Sequence, residues 1–211
     1  DGVFVAAAPG AGLGSRRLSI VDLEHGGQPL SNEDGSVHIL LNGEIYNHAA
    51  LREDLIARGH KFRSHSDTEV IVHLYEDMGP GCLERLDGMF ALAVLDVSRR
   101  TLLLARDSAG MKPLYFAETP AGLLFASEAK ALFVTGLVKA APDLDAIDTY
   151  LAAGYVPAPR TAFRGVQKLR AGEFLTASPG GVRRDFYWRL KYDNGRPARS
   201  WRPRGLPSSK G

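Results

Sequence analysis

The sequence predicts an α+β fold in which two antiparallel sheets stack face to face with helices outside, and three observations point there. Many apolar runs of strand length are separated by hairpin-length turn signals. A few helix-length segments carry their own start and stop residues. Strands and helices do not alternate one for one, as a doubly wound parallel sheet would require. With 211 residues, 45% hydrophobic and 24% charged, the chain can bury a sizeable core and is neither disordered nor fibrous in composition.

The strand-length runs are Val37 to Leu41, Phe90 to Leu95, Thr101 to Ala105, Leu114 to Phe116 and Leu123 to Ala126. Turn signals stand at Asn42-Gly43, at Glu118 to Gly122 and at Pro179-Gly180-Gly181, so neighbouring strands should pair antiparallel. Asn47 can cap a helix whose Leu51 and Leu55 share a face, with Gly59 as its stop. Ser66-Asp67-Thr68-Glu69 fits a capping box ahead of Val70, Ile71, Leu74 and Tyr75, and Gly79-Pro80-Gly81 closes that segment. A third helix runs from Asp143 through Ile147 and Leu151 to Gly154.

Composition narrows the function classes. The single cysteine, Cys82, cannot form an internal disulfide, which favours a reducing, cytoplasmic setting. The longest apolar stretches, such as Phe90 to Leu95, are too short to span a bilayer, and the start lacks a basic region before an apolar run, so no membrane association is expected. Residues 189–211 hold seven Lys/Arg and one Asp, against 19 basic and 23 acidic residues in positions 1–188. That tail, with Pro197, Pro203 and Pro207, reads as disordered, and the acidic body argues against nucleic acid as a partner.

Candidate chemistry gathers at three places. Asn42-Gly43-Glu44 follows a buried-looking strand and leads into a capped helix; the Asn42 amide and an unobstructed N–H near Gly43 could face an oxyanion, although spacing alone favours a plain turn. Asp67 sits at a helix start, either as an N-cap or as the partner of a ligand ammonium. Arg17 could hold a carboxylate in a forked pair, or be a surface arginine before a strand. Together these suit an α-amino acid whose side chain undergoes acyl transfer. Cys82 reads as a buried structural thiol. Ser64, His65 and Asp67 are adjacent and cannot form a triad, and no phosphate-binding loop is present. The histidines at 48, 60, 65 and 73 lack any tight pair spacing, so no metal ligand is assigned.

These blocks carry a resemblance. Arg16 to Leu23 (RRLSIVDL), Gln28-Pro29-Leu30, Asn42 to Asn47 (NGEIYN), Ser66 to Val70, Gly88 to Ala91, Ala105-Arg106-Asp107, Lys112 to Tyr115 and Ser127 to Lys130 resemble the class II, N-terminal-nucleophile glutamine amidotransferase domain of glutamine-hydrolysing asparagine synthetases. The resemblance covers residues 1–188. Gly154-Tyr155-Val156-Pro157 and Gly165 to Leu169 fit the asparagine synthetase branch better than the glucosamine phosphate or purine branches.

The resemblance implies a four-layer αββα sandwich of N-terminal nucleophile hydrolase type, binding L-glutamine. Arg17 would hold the α-carboxylate and Asp67 the α-ammonium, Leu18, Ile20 and Glu44 would line the pocket, and Asn42 and Gly43 would stabilise the oxyanion. It assigns no cofactor to these residues; ATP and Mg belong to an implied C-terminal synthetase domain, which would amidate aspartate, with homodimers as the family tendency. In the family the nucleophile is a cysteine at residue one. Here residue one is Asp1, and Asp1-Gly2 resembles the end of the family's RGPDG segment, which implies that the first strands and the nucleophile are missing and that the chain as given is inactive. The alternative readings are a nucleophile-less glutamine-binding or assembly module, and an amidotransferase of an exopolysaccharide or antibiotic cluster acting on another acceptor.

Overall fold

The computed structural model describes residues 2–6, 10–16 and 27–191. Arg17, Leu18 and Ile20, and residues 192–211 of the basic tail, lie outside the described residues.

The strands are β1 (Gly2–Ala6), β2 (Ala11–Ser15), β3 (Leu30–Ser31), β4 (Val37–Ile45), β5 (Gly88–Asp96), β6 (Thr101–Arg106), β7 (Tyr115–Thr119), β8 (Gly122–Ala126), β9 (Gln167–Lys168), β10 (Glu173–Ser178) and β11 (Gly181–Phe186). The helices are α1 (His48–Ala57), α2 (Glu69–Met78), α3 (Ala129–Val134) and α4 (Leu144–Ala153), with a 3-10 segment at Gly79–Arg85. A six-stranded sheet has the order β11-β10-β6-β5-β4-β3, a three-stranded sheet the order β8-β7-β9, and β1 pairs with β2. Every described pairing is antiparallel, as the short loops demand.

The layering follows from the two-residue period of the strands. On β5, Phe90, Leu92 and Val94 face a core shared with Leu51 and Leu55 of α1 and Val70, Ile71 and Leu74 of α2. The alternate residues Ala91 and Ala93 face the other way, against Leu114, Phe116, Leu169 and Leu175. The far side of the small sheet, with Ala117 and Leu124, packs on Leu132 and Phe133 of α3. The order is therefore helices, six-stranded sheet, three-stranded sheet, helix: the four-layer αββα sandwich. β5 has both faces covered, which is why Phe90 to Leu95 reads as a continuous apolar run. Each fully buried Leu or Phe in these layers is worth about 1.5–3 kcal/mol.

Two helix ends differ in detail from their sequence signals. Asn47 precedes α1 but makes no side-chain cap; its amide donates to the Arg85 carbonyl at 2.9 Å and accepts from the Asp87 amide at 3.1 Å. It pins the entrance of β5 instead. At α2 the capping box does not close on itself. Glu69 turns back to accept from the Arg63 amide at 2.7 Å, the Ser64 amide at 2.8 Å and the Ser64 hydroxyl at 2.6 Å. At α4 the signals hold: Asp143 accepts from the Ala146 amide at 3.1 Å and Gly154 terminates the helix at φ 78°.

Candidate active site at the end of β4

The site begins where β4 outlasts its apolar run. Asn42 and Gly43 are not a turn: they pair with Ala91 and Phe90, and the ladder continues to Ile45 opposite Gly88. The turn reading from the dipeptide alone is corrected here, because Gly43 serves a strand. Its φ is 149°, and a Cβ there would collide with the Met89 carbonyl and the Phe90 backbone. Only glycine lets the two strands approach so closely at this point. The same holds across the pair, where a Cβ on Gly88 would strike the Glu44 carbonyl.

The side chains beyond Leu41 turn to solvent. Asn42, Gly43 and Glu44 are exposed, while Leu41 and Ile45 on either side are buried. A polar, open stretch is thus anchored at both ends in the core. No described residue hydrogen-bonds the Asn42 side-chain amide.

Asp67 is brought to the same place from the other side. It stands two residues before α2 and does not cap the helix; one carboxylate oxygen, Oδ2, accepts from the Ile45 amide at 2.9 Å. The N-cap alternative is overturned by that contact. Among the described residues, its other oxygen receives only a long bond from the Thr68 hydroxyl at 3.5 Å, leaving acceptor capacity for a ligand cation.

A residue that sequence reasoning did not assign to the site holds these parts together. The buried Gln28 accepts from the Leu41 amide at 2.9 Å and donates to the Thr68 hydroxyl at 3.3 Å. It bridges the residue before Asn42 to the residue after Asp67. The Gln28-Pro29-Leu30 block was a signal that something there matters, but nothing local says what its amide reaches. Asp107 supports the facing strand: its oxygens accept from the Ala109, Met111 and Lys112 amides at 3.1, 2.9 and 3.0 Å, and more weakly from Phe90 at 3.3 Å.

Two other candidates resolve into structural roles. Cys82 is 0% exposed, and burial pushes its thiol up to about 12, so it is not a nucleophile at neutral pH. Ser64 is spent on Glu69. Burial pushes the Glu69 carboxyl upward, but the His73 ring and the Ser64 and Arg63 donors more than reverse this and hold it at about 2.

A profile of the glutamine amidotransferase domain matches residues 1–188. The chain belongs to that family. Asparagine synthetase [glutamine-hydrolyzing] 1 of Bacillus subtilis is 42% identical over 170 residues, covering 81% of this chain and 27% of that protein. A probable asparagine synthetase of Dictyostelium discoideum is 50% identical over 122 residues, 57% of this chain and 22% of that protein. The chain spans only about a quarter of the length of these two relatives. Among solved structures, the glutamine phosphoribosylpyrophosphate amidotransferase of B. subtilis aligns with a TM-score of 0.56 at 23% identity, over 77% of this chain and 32% of that one. The four-layer amidotransferase domain fold is shared with it. No described helix is long and apolar enough to cross a membrane.

Proposed function

We propose that the amidotransferase domain to which residues 1–188 belong binds L-glutamine at the end of β4 and, in the complete enzyme, releases its side-chain nitrogen as ammonia. In the cytoplasm it would feed an ATP- and Mg-dependent synthetase part that amidates aspartate. The observation that carries the reading is the bond from the Ile45 amide to Asp67, which sets a carboxylate beside the exposed Asn42-Gly43-Glu44 stretch. Asp67 would pair with the α-ammonium and Arg17 with the α-carboxylate, with Leu18, Ile20 and Glu44 along the pocket. Attack on the side-chain amide carbon by a thiolate places negative charge on its oxygen. The Asn42 amide and the Gly43 backbone stabilise that charge; as the intermediate collapses the C–N bond breaks, the departing nitrogen takes up the proton given up by the thiol and leaves as ammonia, and water then hydrolyses the γ-glutamyl thioester to glutamate and returns the thiol.

The attacking thiol is not Cys82, which is sealed in the core. That burial favours a second reading, glutamine binding without hydrolysis. Calorimetric titration of L-glutamine, with D-glutamine as control and with Arg17→Ala, tests the shared part of both. Saturable, stereospecific binding lost in the variant is expected; indifference to either change defeats the glutamine reading. Ammonia release measured on the complete enzyme separates hydrolysis from binding alone.

A further inference from the structure

Beside α2, a side chain from the connection after α1 meets two from the helix itself. His60 follows α1, and His73 and Glu76 lie one turn apart on α2. The His73 Nδ1 is 2.9 Å from Glu76 Oε2, and the His60 Nδ1 is 3.7 Å from that same oxygen. One ligand atom from each of the three lies within 4.8 Å of the others. Ligands held tetrahedrally at about 2.0–2.1 Å from an ion are about 3.3 Å apart. The two measured separations straddle that edge.

The atoms facing away from this point are held as well. His60 Nε2 is 3.0 Å from Asp77 Oδ1, and Asn32 donates to Glu76 Oε1 at 2.8 Å. Metal-ligating imidazoles are oriented in this way by a carboxylate on the second ring nitrogen, and ligating carboxylates by a hydrogen bond on the second oxygen. His73 is 1% exposed, and its Nε2 has no hydrogen-bond partner among the described residues; Glu69 Oε1 stands 3.9 Å away. The Phe62 ring meets His73 edge-on at 4.7 Å and closes one side. Glu33, exposed on the other side, has Oε2 4.0 Å from His73 Nδ1, within reach of a fourth position directly or through water.

Charge argues in the same direction. Four carboxylates, from Glu33, Glu69, Glu76 and Asp77, surround the two rings, and among the described residues the side-chain cation paired with any of them is Arg58, 3.5 Å from Asp77. A mixed nitrogen and oxygen set with an open fourth position suits an ion of the zinc type better than Mg or Ca, which prefer oxygen. We propose that His60, His73 and Glu76 bind one divalent transition-metal ion of the zinc class, as a structural clamp. The ion ties the connection after α1 to α2, and that connection continues through Ser64 and Ser66 to Asp67. The site stands apart from the glutamine reading and does not depend on it.

The test is a zinc titration of the chelator-treated full chain at neutral pH, by equilibrium dialysis with elemental analysis, alongside Co2+ absorption and thermal melting. One equivalent should bind with micromolar or tighter affinity, Co2+ should give ligand-field bands, and zinc should raise the melting temperature reversibly to chelator. His60→Asn and Glu76→Gln, at partly exposed positions, should each weaken binding at least tenfold, and Asp77→Asn, behind His60, by about 10–100-fold. His48→Gln, at the opposite end of α1, should leave affinity unchanged. Absence of saturable binding, or equal affinity in His60→Asn, Glu76→Gln and the unaltered chain, overturns the proposal and leaves the cluster as a histidine–carboxylate ion network.

Discussion

The Asp67 carboxylate accepts a hydrogen bond from the Ile45 amide at 2.9 Å, joining the segment before α2 to the last residue of β4. An asparagine in its place keeps an acceptor oxygen and loses the charge. Asp67→Asn should therefore fold normally yet bind L-glutamine about 1.5–3 kcal/mol more weakly, one to two orders of magnitude in Kd. Asp67→Ala should lose about 1 kcal/mol of stability in addition. Calorimetry and denaturant midpoints separate the two; an unchanged Kd in Asp67→Asn removes the ammonium role.

Asn42 is exposed and its amide has no partner among the described residues, so Asn42→Ala should leave the unfolding midpoint in place. In the complete enzyme it should cost about 2.7–4 kcal/mol of transition-state stabilisation, roughly 10²–10³ in glutaminase kcat. A loss confined to KM would instead mark Asn42 as a binding group only.

Gly43 cannot accept a side chain without moving the Met89 carbonyl and the Phe90 backbone. Gly43→Ala should lower stability by at least about 1–3 kcal/mol, the range for a residue held in a sparsely populated conformation. Urea unfolding monitored by circular dichroism measures it. Stability equal to the parent chain would mean that β4 and β5 are farther apart than described.

Gln28 satisfies a buried backbone amide and the Thr68 hydroxyl together. Gln28→Met fills similar space without either bond, leaving the Leu41 amide to be desolvated unpaired, and should destabilise by about 1–3 kcal/mol. Because the bridge flanks both Asn42 and Asp67, glutamine affinity should fall as well. Lost stability with intact affinity would limit Gln28 to the core.

Cys82 should resist thiol reagents in the folded chain and react fully once unfolded. With the folded thiol at about 12 against an ordinary 9.0, the thiolate at pH 8 is about one part in ten thousand. The raised value also sets a sign: the folded state keeps this proton longer than the unfolded chain. The stability it contributes is complete below pH 9 and is lost as pH rises from about 9 to about 12. Rapid labelling at pH 8 without unfolding would contradict the buried placement.

Much of the architecture was legible because it rests on local patterns. The apolar runs at Phe90 to Leu95 and Thr101 to Ala105 became β5 and β6, Leu51 with Leu55 and Ile71 with Leu74 gave the buried faces of α1 and α2, and Asp143 with Gly154 marked α4 at both ends. The strands β1, β2 and β10 were missed, as were runs too short or too polar to register: the six-residue α3, the two-residue strands β3 and β9, and the charged β11. Of these, β9 takes its place from a partner far away in the chain, pairing Lys168 with Tyr115 of β7, whereas β3 and β11 pair with the next or preceding strand.

What the sequence determined by itself was composition, the period of its apolar residues, and the order of its polar blocks, which sufficed for fold class and family. What only the tertiary structure decided was which polar atoms meet. Asn42-Gly43 is a turn dipeptide by propensity and a strand by the backbone clash that glycine avoids; Asp67 is a helix cap by spacing and a β4 anchor by the Ile45 amide. Gln28 and Thr68 are 40 residues apart, and His60 and His73 share no helical face. Hydrogen bonds and ligand geometries act over about 3 Å whatever the separation along the chain, so they become readable only when folding has set that distance.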